Sequence, residues 1–401
     1  MAVTRVAFPR EFDEDVACPC CGSRGLRIFY ELRQLPAQSC LVLEDRAEAT
    51  GFARADLRLG HCEACGFVTN TAFEAEAVEY SQRYEETQGF SPTFSRYARS
   101  LAERLVDRFN LAGKTVMEIG CGKGEFLTLL CEIGAGRGIG IDPAYVPSRN
   151  TSPAAGKVEV LREFFDESHG RFEPDFICCR HSLEHIGDVR GFLTMLRRSI
   201  GDRAGVEVFF DIPDAGRVIR EPAFLDIYNE HCSYFTRRSA SNAFRTAGFE
   251  VTETWLEYAD QYLLLTARPG RTALAWPEAD PEMLAWVATF AERCAATIAH
   301  WREVIRRSAA KGERIVVWGS GSKAVAFLST IGVTDEVEYV VDINPHRHGL
   351  YMPGVVQRIE GPEHVRDAPP DLVIAMNAVY LDEIGSMLDR LGVRPVIVGV
   401  D

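Results

Sequence analysis

Cys18 and Cys21 form a C-x-x-C pair closed by Gly22, and Cys62 and Cys65 form a second pair closed by Gly66, with forty residues between the pairs. A two-residue gap lets both sulfurs of a pair face one metal at about 2.3 Å, and the glycine lets the backbone turn back with its amides toward sulfur. Four thiolates fill a tetrahedral shell and leave no open position for catalysis, so the pattern predicts a structural Zn2+ ion held by Cys18, Cys21, Cys62 and Cys65. The competing use of cysteine is as a small buried hydrophobe. Cys20 would fit a knuckle only with poorer geometry, and His61 reads as a neighbour of the shell or a surface residue. Cys40, Cys121, Cys131, Cys178, Cys179, Cys232 and Cys294 lack partners at ligand spacing and read as core.

A second constellation is EIGCGKGEF, where Gly120, Gly122 and Gly124 follow the apolar stretch TVMEI and precede FLTLLCEIG. Such a turn lets a ligand approach the backbone, but its G-x-G-x-G spacing is not the G-x-G-x-x-G of dinucleotide enzymes. Glu118 lies two positions before the first glycine, and the next strand, GRGIGID, ends at Asp142, where a carboxylate can accept both hydroxyls of a ribose. Together these residues resemble the class I S-adenosylmethionine-dependent methyltransferases. The resemblance implies that the glycine turn cradles the methionine part of the cofactor and that Asp142 holds its ribose. It also implies that Glu163 and Phe164, in LREFF, flank the adenine. The strand DFICCRHSLEHI carries His181, Glu184 and His185 to the carboxyl edge of the sheet, where ligands of open α/β folds bind. In this class the segment lines the junction of cofactor and substrate, which makes His181 a cofactor contact; Glu184 and His185 equally suit the start and cap of the following helix.

YNEHCSYF places Tyr228, Glu230 and His231 within four residues. Burying such polarity unpaired costs several kcal/mol per group, so these side chains need partners, water or a substrate. A simple cap for the helix beginning near Thr236 needs only one of them. Downstream, WGSGSKAVAF gives Gly319, Gly321 and Ala324 in G-x-G-x-x-A spacing, and Asp342 ends the next strand 23 residues after Gly319. Taken alone this is a dinucleotide fingerprint, which supports a fused nicotinamide-dependent reductase. Lys323, beside a helix N-terminus, could meet a diphosphate; Asn344, His346 and Tyr351 follow on the next loop, and Asn377 and Tyr380 follow DLVIAMN. Turn chemistry at Asn344-Pro345 and Pro353-Gly354 accounts for part of that loop without a ligand.

The elements that must position these groups fall into four segments. A turn-rich stretch runs to about residue 75, followed by a polar helical connector with Phe94, Tyr97, Leu101 and Leu105 at helical spacing. A βα alternation then runs to YLLLTARP, near residue 269. From PEMLAW onward a helix of about thirty residues without a glycine leads into a second βα series that ends in PVIVGVD. Both series have nearly all-apolar strands, as when helices cover both faces of a mainly parallel sheet. At 401 residues the chain exceeds one ordinary core, and 46% apolar and 25% charged residues are those of a soluble globular protein. A net charge of −14 repels phosphate backbones, so nucleic acid is not an expected partner. MAVTRVAFPREFDED lacks the apolar core of a secretory signal, and no apolar run approaches the ~18 residues of a membrane span, so a cytoplasmic protein without a membrane partner is expected. Twelve cysteines in such a chain point to metal or core use, not to a disulfide framework.

A zinc-binding front end, a methyltransferase middle and a Rossmann-like tail together resemble the sugar C-methyltransferases of antibiotic deoxysugar biosynthesis. The resemblance rests on the two C-x-x-C pairs, YEETQGFSPTF, EIGCGKG, YNEHCSYF, WGSGSKA, VVDINPHRHGLYMPG and DLVIAMNAVY. It implies an α/β chain of three parts: a small zinc-binding domain over 1–75, a class I Rossmann-like methyltransferase domain over 76–270 with a connector or lid over 76–112, and a linking helix with a second Rossmann-like, substrate-binding domain over 271–401. It implies S-adenosylmethionine as cofactor and a small-molecule partner, a nucleotide-linked keto-sugar; monomer or homodimer stays open. His231 would be the base that makes an enolate, Glu230 would orient it, and Tyr228 would stabilise the enolate or the sugar hydroxyls. Tyr84 would close over the cofactor, and Lys323, Asn344, His346, Tyr351, Asn377 and Tyr380 would bind substrate. LRQLPAQSCLV replaces a proline-rich stretch of the family, which leaves the nucleotide, the sugar, the methylated position and O- or N-methylation open.

Overall fold

The computed structural model describes residues 6–7, 12–270, 280–332 and 335–400. Five strands open the chain: β1 (Val6–Ala7), β2 (Phe12–Ala17), β3 (Arg24–Pro36), β4 (Arg54–His61) and β5 (Val68–Asn70). They pair antiparallel, and the two cysteine knuckles are the turns between β2 and β3 and between β4 and β5. Gly22 and Gly66 take left-handed φ of 78° and 76° there, a conformation that glycine adopts without strain.

Eight strands follow: β6 (Thr115–Ile119), β7 (Arg137–Ile141), β8 (Val158–Leu161), β9 (Phe176–Arg180), β10 (Glu207–Pro213), β11 (Ser233–Tyr234), β12 (Phe249–Glu257) and β13 (Tyr262–Pro269). Seven of them form one sheet in the order β12-β13-β10-β9-β6-β7-β8, parallel from β8 to β10, with β13 reversed between β10 and β12. The period of two along a strand sends alternate side chains to opposite faces. Met117, Ile119, Ile177 and Phe210 pack with the helices Val189–Ile200 and Arg237–Thr246, whereas Val116, Phe176 and Phe209 pack with the helices Pro92–Arg108 and Glu125–Ile133. The first of these cores also takes in Cys18, Cys20, Cys62, Cys65 and Phe67, so the knuckles sit against the central sheet.

β11 leaves this sheet. It comes from YNEHCSYF and pairs with β5, Ser233 against Thr69 and Tyr234 against Val68, so that the segment carrying His231 becomes the edge of the N-terminal sheet. Asn70 N and Thr69 Oγ1 both donate to the Cys232 carbonyl at 2.9 Å.

The last five strands, β14 (Ile315–Trp318), β15 (Val337–Val341), β16 (Ile359–Glu360), β17 (Leu372–Ala375) and β18 (Val396–Gly399), form an all-parallel sheet in the order β16-β15-β14-β17-β18. Before it runs the helix Pro281–Ala310, capped by Asp280 and carrying proline at its first turn. Phe290, buried on this helix, meets Tyr30 and Phe29 of β3 at ring distances of 5.1 and 5.6 Å, and Trp301 meets Phe327 of the third unit at 5.6 Å. The helix therefore braces the first sheet against the third. The connector differs from the helical reading: residues 78–91 form bends and turns, and the helix begins only at Pro92, with Ser91 as its cap. The junction expected at 270/271 adjoins residues 271–279, which lie outside the described residues.

Candidate active site

A cavity of about 1320 Å3 opens where the three sheets meet, and it reaches both glycine turns and YNEHCSYF. Sites for one small ligand usually hold about 300–1,000 Å3, so this one has room for a cofactor and a second molecule together.

The first turn forms one end of it. Gly120, Gly122 and Gly124 have φ of 69°, 53° and 76°, and a Cβ would strike Ser182 Oγ at Gly120 and Glu86 Oε1 at Gly122, so side chains are excluded from this cradle. Asp142, at the end of β7, accepts the amides of Gly122 and Ala144 at 2.7 Å, one on each carboxylate oxygen. Behind the turn Glu118 is buried with Oε2 lacking a hydrogen bond, and burial pushes its carboxyl up to about 8. Lys123 Nζ is tied down by the carbonyls of Tyr84 (2.7 Å) and Ala144 (3.1 Å). A cradle without Cβ atoms and an orphaned buried carboxylate fit a ligand that carries hydrogen-bond donors and lies close against the backbone. Glu163 and Phe164 stand at the mouth, Phe164 exposed and Glu163 in contact with His169 Nε2 at 2.9 Å. His181 takes a left-handed φ of 47°, and its ring lies 4.6 Å from that of Tyr262. Its buried Nε2 has no hydrogen bond, and burial lowers its pKa.

The proton-handling groups gather deeper. The His231 ring is 4.1 Å from Tyr228 and 4.8 Å from His185, and donor atoms of Glu184, His185 and His231 lie within 4.8 Å of one another. The Glu230 carbonyl oxygen is 3.1 Å from His185 Nδ1; a carbonyl only accepts, so Nδ1 carries the proton and Nε2 keeps its lone pair. Burial holds His231 well below the usual imidazole range and His185 at about 4, and it raises Glu184 to about 8. Both imidazoles are thus neutral at pH 7 and able to accept a proton. Glu230 departs from the expected arrangement. Its side chain turns away from the cavity to take the amide of Ser39 (2.8 Å) and the Ser39 hydroxyl, and Oε2 is left unpaired. Glu184 and His185 do not cap the next helix, whose cap is Asp188. Thr236 does cap its helix, in a reciprocal box with Ser239, so the segment serves as a helix start as well. LRQLPAQSCLV lies directly against the segment, because Asn229 Nδ2 donates to the Ala37 carbonyl at 2.9 Å.

On the other side Lys323 Nζ reaches Asp226 and Gln261 at 3.2 Å, Asn344 Nδ2 donates to Glu85 Oε1 at 2.8 Å, Asn377 pairs with Gln261, and the hydroxyl of Tyr380 meets that of Tyr258 at 2.8 Å. These four residues line the cavity; His346, exposed beside Phe90, and Tyr351, bridged through its backbone to Leu43, do not. Tyr84 lines it too, buried against Tyr80 at 5.5 Å. Sequence reading missed Glu86, Arg217, Asp226, Gln261, Tyr262 and Arg347, which also line it. Glu86, within YEETQGFSPTF, and Arg347, three residues after Asn344, stood within reach of a local signal.

Residues 93–254 match the family model of a methyltransferase domain, and residues 277–393 match that of a C-methyltransferase C-terminal domain. The chain is an S-adenosylmethionine-dependent methyltransferase. It is 25% identical over 372 residues to the C-methyltransferase NovU of Streptomyces niveus, covering 86% of this methyltransferase and 85% of NovU. Solved structures similar to it include the magnesium protoporphyrin IX methyltransferase of Synechocystis PCC 6803 with bound SAH, at 15% identity and a TM-score of 0.34 over 45% of this chain and 84% of that one. A methyltransferase from Aquifex aeolicus gives 18% identity and a TM-score of 0.34 over 45% of this chain and 94% of that one.

At the methyltransferase's cysteine knuckles, Sγ distances are 3.7 Å for Cys18–Cys65 and for Cys21–Cys62, and all four sulfurs lie within 4.8 Å of one another. Tetrahedral ligands about 2.3 Å from a centre stand about 3.8 Å apart, so these four side chains fit a zinc ion. Cys20 is fully buried and lies outside the cluster. Among the described residues no helix is long and apolar enough to cross a membrane.

Proposed function

We propose that the enzyme methylates a carbon next to the ketone of a nucleotide-linked sugar, with His231 removing the proton from that carbon. The observation that carries this reading is the shared cavity: a neutral, buried imidazole opens onto the same space as the cofactor turn and the Lys323 turn. A carbon beside a ketone is weakly acidic, so a base must take its proton while donors hold the charge that moves onto oxygen. His231 suits the base, and Tyr228, whose ring lies 4.1 Å away, suits the donor, since burial holds its phenol protonated. His185, fixed by the Glu230 carbonyl, keeps the lone pair of Nε2 and can hold the proton next. Glu230 acts at one remove, by tying the segment to Ser39. When bound, S-adenosylmethionine supplies the electrophilic methyl group, and Gly120, Gly122, Gly124 and Asp142 would hold it. Lys323 and Asn344 suit the phosphates and the nucleotide. The test is incubation of wild type and His231→Asn with nucleotide keto-sugars in heavy water, following deuterium exchange at the alpha carbon and methyl gain. Wild type should exchange and methylate carbon, and the variant should do both about 10²–10⁴-fold more slowly with unchanged cofactor affinity. Methylation of oxygen or nitrogen without exchange, or exchange at the wild-type rate in the variant, overturns the reading.

Zn2+ held by Cys18, Cys21, Cys62 and Cys65 would fix the knuckles and, through the β5–β11 pairing, the segment that carries His231. Its contribution is to folding. Metal analysis should find one zinc per chain, and Cys62→Ser should lower the melting temperature; substoichiometric metal with unchanged melting would contradict this.

A further inference from the structure

Glu86 belongs to the connector that crosses the cofactor turn. It lines the cavity, keeps 30% of its side-chain surface open, and sets Oε1 in the space that a Cβ on Gly122 would fill. Oε2 is buried and has no hydrogen bond; Lys123 Nζ forms an ion pair with it at 3.5 Å, while its hydrogen bonds go to the Tyr84 and Ala144 carbonyls. The neighbouring Glu85 is fully engaged, by Arg149 at 2.7 and 3.1 Å and by Asn344 at 2.8 Å. Glu86 is therefore the connector carboxylate left over. It stands near other carboxylates, Asp142 and Glu85, and burial raises both Glu86, to about 7, and Asp142. A half-buried carboxylate crowded by others favours a cationic ligand, and an orphaned oxygen asks for a hydrogen-bond donor. S-adenosylmethionine carries two cationic groups. Its sulfonium has no N–H or O–H, whereas its ammonium has three N–H donors.

We propose that Glu86 is a cofactor-binding residue whose carboxylate accepts a hydrogen bond from the ammonium of the cofactor's methionine part, holding the connector down on Gly122. The connector is in turn fastened to the C-terminal unit, since Glu383 accepts Ser91 Oγ at 2.7 Å and Thr93 N at 3.0 Å. The carboxylate that meets the cofactor is thus carried on a strap tied to the unit with Lys323 and Asn344.

The assignment is tested by calorimetric titration of the full chain with three probes: S-adenosylmethionine, S-adenosylhomocysteine and 5′-methylthioadenosine, which lacks the amino-acid part. Glu86→Gln should weaken the first two alike, by about 10-fold or more, and change the third less than about 2-fold. Glu86→Asp should fall between. Equal weakening for all three probes, or none, overturns the proposal, and weakening for S-adenosylmethionine alone moves the contact to the sulfonium and overturns it too. Because the readout is a ratio between probes on one protein sample, partial loss of folded protein does not disturb it. The titrations contain no sugar, so their outcome is separate from that of the carbon-methylation reading.

Discussion

Two glycine turns line one cavity in this enzyme, each between a parallel strand and a helix and each with an aspartate at the end of the next strand. Their sequences look alike, but their backbones do not. In the first, Gly120, Gly122 and Gly124 all have positive φ, and side chains at the first two would collide with Ser182 and Glu86. In the second only Gly319 does, at 102°; a Cβ there would meet Met376 at 3.5 Å, and Gly321 is extended with open space around it. Asp142 takes two backbone amides, whereas Asp342 takes the amides of Ser320 and Asn344 at 2.8 Å and the Ser320 hydroxyl as well. Two positions before the first glycine stands buried Glu118 in one turn and buried Val317 in the other. A glycine fingerprint therefore specifies a backbone path, and the ligand it serves depends on which side chains close around it.

The sharpest way to break this contrast is Gly122→Val against Gly321→Ala. The first puts a branched side chain at φ 53° against Glu86 and should weaken S-adenosylmethionine binding by about 100-fold or more; the second should change it less than about 2-fold, by calorimetry. Equal losses would mean that both turns hold the cofactor. Next in size, Asp142→Ala should weaken the cofactor by about 1–3 kcal/mol through lost ribose hydrogen bonds, while Asp342→Ala leaves it unchanged. The same titrations with NADH should give no heat; tight NADH binding lost in Asp342→Ala would make the second turn a dinucleotide site. The smallest effect is one of pH. The Glu118 carboxyl rises from 4.5 to about 8 on burial, so the stability linked to it is complete below pH 4.5 and declines as pH rises toward 8. The slope is at most about 1.4 kcal/mol per pH unit. Urea unfolding of the ligand-free protein between pH 6 and 8 should show a shallower decline in Glu118→Gln than in wild type.

Much of this was legible in the chain because it is local. Thiolates two residues apart, glycines just after an apolar strand and an acid at the end of the next strand are fixed by backbone geometry within one or two elements. So are the apolar strands of the two βα series, which fill both faces of their sheets. The connector misled the local reading because helical spacing is real from Phe94 onward, but Ser91 and Pro92 place the start of the helix there and leave 78–91 free to cross the cavity. Glu230 misled it because adjacency to His231 suggested a pair, whereas the two side chains diverge.

By itself, then, the sequence determined the order of elements, the metal-ligand set's geometry in each knuckle, and the glycine conformations, all of which depend on torsions and spacings within a few residues. Tertiary structure alone decided which distant groups met. Glu230 finds Ser39 across 191 positions, β11 finds β5, Glu85 finds Asn344 across 259, and Glu86 comes to rest on Gly122. No local pattern encodes these encounters, because each depends on how the three sheets and the bracing helix Pro281–Ala310 pack their apolar faces, and a buried polar side chain takes whichever partner that packing brings within reach.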